Sequence, residues 1–473
     1  MENLEVRAVP ATLEPGFFGA AAAAVTTVYS ESNNPAAGQN AVLAFHQNAD
    51  GSLSQFASFN TGGTGQINLP KVIGPDDSSQ EVVTTADGRF LFAVNQGSNS
   101  VSSFRVDPDG TLHLAGTFES GGVQPDSIGI AGDKLYVSNR GDSAVGHPGT
   151  VAPNIAGFRI RGDGGLAPIP DSTVTFPVDT SPSQNLVTPD GRLLFADIFA
   201  APGSTAAQGN TLAPFQVEHN GRLDLAPGGN IGAPASPPLL LGAALNPHQR
   251  VIYAGLTAVN EVSVFTYDRS GKLAFVGDSP VQGAGPCWAV VSADGRFLYT
   301  GDTGTDSAGV FSLADPLHPV QIQEFKLGGP HAPPGSPPGT LESNVFQLAV
   351  SPDGRTLYAV SQSTNPTGSF PDGNQLHILS VAADGTLSEP HGPVLLSAAG
   401  VPGDAHPQGI AVVTSRLPGP DPDGRDESGD EETAPVGFIR NDAAAPPASA
   451  SVISGAIAGF DEAELALLLT DLR

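Results

Sequence analysis

His406 and Arg140 are the side chains whose types and settings best suit hydrolytic chemistry. His406 stands directly before Pro407, where a β-rich run opens, and Asp404 lies just upstream. A histidine so placed can act as general base for water attack on an ester-type carbonyl, with Arg140 or a backbone N–H polarising the oxygen. A plain loop histidine weighs more, because a nearby loop carboxylate fixes no orientation. Cys287 beside Trp288 suggests a nucleophile, but no histidine shares its register, and a cysteine in an apolar run usually behaves as a small core residue. Trp288 is the sole tryptophan; its indole suits stacking on a flat ring, with core packing the commoner fate. Asp302-Thr303-Gly304-Thr305-Asp306 spaces oxygens as calcium loops do, yet it lacks a downstream bidentate glutamate and reads as a turn. Asn95, Asn139 and Asp302 share one register, which suggests short polar side chains capping a recurring turn.

The elements that must position these residues come from a repeat. TADGRFLFAVN (85–95) recurs as TPDGRLLFAD (188–197), SADGRFLYTGD (292–302) and SPDGRTLYAVS (351–361), with looser copies at 131–139 and 246–255. Asp-Gly supplies the positive φ of a two-residue hairpin, and the following apolar run is short enough for a buried strand. Aligning on the aromatic after each turn gives Tyr29, Phe92, Tyr136, Phe195, Tyr253, Tyr299 and Tyr358. A second turn before leucine follows each, as in Asp109-Gly110-Thr111-Leu112; Asp315-Pro316-Leu317 has the weakest hairpin chemistry. Each unit therefore has four strands, A to D, and about seven such units predict a seven-bladed all-β propeller. The first unit lacks strand A, and an orphan A strand appears at 406–413. The C-terminal strand is therefore expected to complete blade 1 and close the ring.

Composition agrees. The 473 residues hold 58 Gly and 43 Pro but only 14% charged residues, which suits a turn-rich β protein. A formal charge of −28 argues against nucleic acid and anionic membranes as partners. With one cysteine there is no internal disulfide. MENLEVRAVP is acidic where a secretory signal would be basic, and no transmembrane helix is evident. A cytoplasmic monomer is the default expectation, an extracellular location staying open. Residues 1–24 form an extension and 25–413 the propeller. Residues 414–455 read as an acidic, Pro-rich disordered linker, and 456–473 as a short amphipathic helix with Asp461 and Glu464 in a capping box.

The phrases FLFAVNQGSNSVSSFRVDPDGTL (90–112) and LYVSNRGDSAV (135–145) resemble the repeats of the lactonase-type seven-bladed propellers, the superfamily of 6-phosphogluconolactonase and carboxymuconate-lactonising enzymes. The resemblance implies the fold and a lactone-processing ancestry. It also implies Gly-Pro-Arg-His at one A-strand opening, with a Glu and further Arg on neighbouring blades. By register that motif falls at Leu240-Leu241-Gly242, and the nearest string, Gly285-Pro286-Cys287-Trp288, has neither Arg nor His. The family's catalytic set does not carry over.

A-strand openings and B–C loops share the propeller face that surrounds the channel mouth. The mouth positions include Glu81, Asp126, Gln184, Trp288 and Gln347, the candidate ligand-binding residues. They are neutral to acidic, with Arg140 the evident cation, whereas a phosphorylated or carboxylated lactone would need more. Long loops at 139–154, 197–210 and 361–374 lengthen this face. The expectation is a propeller that binds a small neutral ligand or a protein partner there, without metal or cofactor. The alternative is a lactone hydrolase with a rearranged site built on His406 and Arg140.

Overall fold

The structure is a computed structural model that describes residues 24–66, 78–142, 149–200, 208–234, 239–365 and 368–416. The expected acidic linker, apart from its first residues, and the terminal helix lie outside them. Seven antiparallel sheets follow one another as blades of a propeller. Blade 2 shows the pattern, with strand A at Val82–Thr84, B at Phe90–Asn95, C at Ser100–Val106 and D at Leu112–Glu119. In blades 3 and 7 the outer strand is broken into two short pieces that both pair with strand C.

Ring closure is as the orphan strand implied. Gln408–Arg416 pairs antiparallel with Ala24–Glu31, from Ala24 opposite Arg416 to Glu31 opposite Gln408. The strand runs to Arg416 rather than stopping at 413. First and last described strands therefore share a sheet, which leaves no open edge between the terminal blades.

All seven register aromatics are B-strand residues with no exposed surface. Three of them also bridge blades. The Tyr29 hydroxyl donates to Gly110 O (2.8 Å), Tyr136 to Gly221 O (3.0 Å) and Tyr253 to Pro316 O (2.9 Å). Each acceptor lies in the C–D turn of the next blade, so these three tyrosines bolt one blade to its neighbour.

The A–B turn differs from the expected two-residue hairpin. In Thr85–Phe90 only Gly88 has positive φ (+70°), and Thr85 N–H bonds to Phe90 O across four intervening residues. The Thr85 hydroxyl donates to Asp87 (2.6 Å), which also accepts Arg89 N–H. The same Ser/Thr–Asp pair recurs at Thr188, Ser292 and Ser351. Its hydroxyl bond is the main cause that holds the Asp87 and Asp294 carboxyls down at about 2. The phrase is turn chemistry, far from the mouth.

Candidate functional site

Strand A enters each blade at the mouth, and in blades 3 to 7 its ladder with strand B slips there. Bulges fall between Pro125 and Ser127, Pro182 and Gln184, Leu240 and Ala243, Pro286 and Trp288, and Val345 and Leu348. Apart from Glu81, the residues chosen by register on strand A thus come from interrupted strand starts on successive blades. The structure buries them. Glu81 and Asp126 have no exposed surface, and Arg140, Trp288, Gln347, Gln184 and His406 are at most 4% exposed. The expected channel mouth is closed over these side chains.

Part of the closure is the chain itself. Blade 2 has a short strand A, and the residues before it leave the sheet. Ser79 N–H bonds to Ser183 O of blade 4 (3.2 Å), Ile128 N–H of blade 3 bonds to Gln80 O (3.0 Å), and Gln347 Nε2 of blade 7 donates to Ser78 O (2.8 Å). Blades 4 and 7 stand on opposite sides of a seven-membered ring. A segment bonded to both must cross the channel axis, so Ser78–Gln80 forms a plug. Gln80 takes a left-handed φ of +69° to make the crossing.

Beneath the plug the mouth has two sectors. The apolar one unites Phe199, Leu239, Leu241, Cys287, Trp288 and Phe346 from blades 4 to 7. Cys287 is buried there, with Thr257 Oγ1 3.9 Å from its sulfur, so it sits as a small core residue. The polar sector spans blades 7, 1, 2 and 3. The Glu81 carboxylate accepts Ser78 Oγ (2.7 Å) and Gln347 Nε2 (3.1 Å). Glu31, at the end of strand B in blade 1, accepts Asn40 Nδ2. Arg140 donates through Nε to Gln124 Oε1 (2.7 Å) and lies close enough to Asp126 to favour its charged form.

Burial dominates the electrostatics. It pushes the Asp126 carboxyl well above the usual range, Arg140 opposing this and the Glu81 charge adding to it. Burial raises Glu31 likewise, with Asn40 opposing and Glu81 again adding. Asp197, on strand B of blade 4, is pushed up to about 7 by burial, although it accepts Gly242 N–H (2.6 Å). Sequence reading missed Glu31 and Asp197 because both belong to B-strand ends rather than A-strand openings. Their positions two residues after Tyr29 and Phe195 could have revealed them. Asp404 is exposed, whereas His406 is buried at the closing seam, beside Pro407, whose carbonyl accepts Gln362 Nε2 (2.8 Å).

The recurring polar residue after strand B is not a turn cap. Asn95 and Asp302 precede short 3₁₀ turns without a side-chain capping bond. Asn95 instead accepts Asn40 Nδ2 (3.0 Å) and Thr61 Oγ1 of blade 1 and donates to Ser102 (2.8 Å) in its own blade. The 302–306 segment is a B–C turn, as read. Among the described residues no group of His, Cys, Asp or Glu side chains is arranged to hold a metal ion.

A second polar array, unseen in the sequence, joins blades 6 and 7. Ser361 Oγ lies 3.0 Å from His377 Nε2, and His377 Nδ1 lies 2.8 Å from Glu389 Oε1. Glu389 Oε2 accepts Gly328 N–H (2.7 Å), and Asp306 bonds His331 Nδ1 (2.8 Å). The order matches a hydrolase triad. Ser361 and His377, however, have no exposed surface, so no acyl group reaches the hydroxyl and the array fastens two blades together. Replacing Glu389 by Ala strands a buried imidazole N–H and a backbone N–H, and should cost roughly 2–3 kcal/mol in urea unfolding. Glu389→Gln keeps one acceptor and should lose less; equal losses would deny the acceptor role. The Asp306 bond raises the His331 pKa, so its contribution is present below the ordinary value of 6.5 and fades as pH rises through the raised one.

The model of the family described as lactonase, seven-bladed β-propeller, matches residues 38–147 and 201–361. The chain belongs to this family. Residues 148–200, between the matched segments, supply the rest of blade 3 and the first two strands of blade 4, so the family fold continues through them. Among solved structures, a candidate 6-phosphogluconolactonase from Bacteroides fragilis aligns at TM-score 0.60 and 18% identity, covering 82% of this chain and 98% of that one. A periplasmic gluconolactonase from Pseudomonas aeruginosa aligns at 0.59 and 18%, covering 84% and 100%. At such identities the likeness is one of fold. No curated protein matches the chain. Where the family resemblance implies Gly-Pro-Arg-His, this propeller has Leu241 in the apolar sector and Gly242 bonded to Asp197.

Proposed function

We propose that this lactonase-family propeller is a binding protein that recognises a small molecule without net negative charge, or a protein partner, on its loop-bearing face. One observation carries the reading: the buried mouth holds three neighbouring carboxyl side chains, Glu31, Glu81 and Asp126, against one guanidinium, Arg140, already engaged by Gln124. Phosphorylated or carboxylated lactones would meet a desolvation cost there that one guanidinium among the described residues does little to offset. Gln184, Trp288 and Gln347 would line the same mouth, and Ser78–Gln80 must move before a ligand enters. The protein would act as a monomer.

Family membership and Arg140 beside Asp126 favour a second reading, a lactone hydrolase with His406 as general base and Arg140 polarising the carbonyl. A thermal-shift panel of anionic, neutral and cationic small molecules tests the first reading. A ligand at a hundred times its Kd adds about 2.7 kcal/mol to stability, a clear rise in Tm. Stabilisation confined to non-anionic compounds is expected; stabilisation confined to phosphorylated or carboxylated lactones would overturn it.

A further inference from the structure

Strand A stands at one end of every sheet, and the A strands of neighbouring blades touch one another around the ring, so together they line the axis. Each turns an edge without a ladder partner towards the channel, and the backbone groups on that edge need partners. Bulges add to them. Ser183 is left out of the ladder between Pro182 and Gln184, and Gln347 falls in the bulge between Val345 and Leu348.

Ser78–Gln80 uses these groups residue by residue. Ser78 O accepts from the Gln347 side chain of blade 7 (2.8 Å), Ser79 N–H donates to Ser183 O of blade 4 (3.2 Å), and Gln80 O accepts from Ile128 N–H of blade 3 (3.0 Å). All three bonds come from the main chain of the segment. Ser78 Oγ turns back to Glu81 (2.7 Å), and Gln80 Oε1 has no donor among the described residues. Gln80 also holds a left-handed φ of +69°, which a residue other than glycine keeps only when its surroundings impose it. A chain laid across a groove and fastened by its main chain is held as a bound peptide is held. The chemistry selects that class of occupant. A hydrocarbon or a plain aromatic ring would leave Gln347 Nε2, Ile128 N–H and Ser183 O buried and unpaired. An extended peptide supplies acceptor, donor and acceptor on successive residues, whatever its side chains.

We propose that the channel mouth is a receptor for an extended, neutral peptide segment read through its main chain, and that Ser78–Gln80 is a built-in occupant which a peptide from another molecule replaces. This rests on the binding reading above and names its ligand. A tethered occupant competes at an effective concentration in the millimolar range, so the wild-type chain masks its own site.

The test opens the mouth and offers the segment back. Ser79→Pro removes the N–H bonded to Ser183 O and restricts Ser78 before it; Gln80→Val puts a β-branched residue at the left-handed φ and loosens the segment by a second route. The probe is acetyl-Ser-Ser-Gln-amide, titrated calorimetrically into the full chain. Its comparator is the same peptide N-methylated at the second serine, which lacks the N–H for Ser183 O. Saturable binding of the probe to a folded open variant is expected, about tenfold or more tighter than its binding to wild type and than the comparator's binding. Adding Gln347→Leu should weaken it about tenfold, with circular dichroism showing the fold retained. Absence of saturable heat, equal affinity in wild type, equal binding of the comparator, or unchanged affinity after Gln347→Leu would overturn the proposal. So would unfolding of both open variants, which would make the segment a structural brace only. If a neutral non-peptide stabilises the protein in the thermal-shift panel and the peptide does not bind, the peptide class falls while the binding reading stands; lactone turnover would remove the binding reading itself.

Discussion

The propeller should be markedly less stable at pH 8 than at pH 5, and Asp197→Asn should remove a large share of the difference. Asp197 is fully buried, and its carboxyl is raised from 3.8 to about 7. A raised carboxyl favours folding while protonated; its contribution is complete below the unfolded value of 3.8 and is lost as pH rises through 7. Two pH units separate pH 5 from the folded value, worth roughly 3 kcal/mol at 1.36 kcal/mol per unit. Glu31 and Asp126 are raised by burial in the same direction, and so is Asp302, where the Glu324 charge adds to burial. Asparagine keeps an acceptor for Gly242 N–H and has no proton to lose. Urea unfolding of wild type and variant across pH 5–8 measures the effect. Parallel profiles would mean that Asp197 is not the buried, proton-bearing group described.

The closing strand carries the other large effect. Ala411 is 6% exposed and packs with Tyr29, Val82 and Leu91, where blades 1 and 2 meet. Ala411→Asp places an unpaired charge in that contact and should cost about 3–5 kcal/mol, enough to leave much of the chain unfolded or aggregated. The exposed neighbour Thr414→Asp controls for strand propensity and charge, and should cost under about 1 kcal/mol. Similar solubility and melting for both variants would mean that the ring does not depend on this strand.

Much of the fold was legible because its cause is local and periodic. The aromatic of each B strand recurs because each blade buries a ring at that register, and the Ser/Thr-x-Asp-Gly turn recurs in the four blades that use the same hydroxyl–carboxylate bond. The orphan strand at the far terminus was legible for the same reason: a four-strand period exposes a missing member. The turn geometry was misjudged because Asp-Gly suits two turn lengths, and only the Thr85 hydroxyl bond to Asp87 selects the longer one. Asn95 and Asp302 were read as caps because a register shows recurrence without direction, and Asn95 reaches sideways to blade 1.

The mouth was legible as a set of positions and illegible as an environment. Glu81, Asp126, Gln184, Trp288 and Gln347 do come from successive strand openings. Ser78–Gln80 crosses the ring over Glu81 and Gln347, and Trp288 packs with residues of three other blades, contacts between segments far apart in sequence that no period encodes. The blade 6–7 array was hidden for the same reason, its members at 306, 328, 331, 361, 377 and 389 meeting only in three dimensions.

The most direct test of the central claim, that this lactonase-family propeller binds rather than hydrolyses, is lactone turnover. A pH-stat assay of γ- and δ-lactones, neutral and phosphorylated, with wild type, His406→Ala and Arg140→Gln, reads it without assuming a product. Background rates for all three proteins are predicted. Wild-type turnover that disappears in His406→Ala, with the variant still folded, would contradict the account and make the hydrolase reading correct.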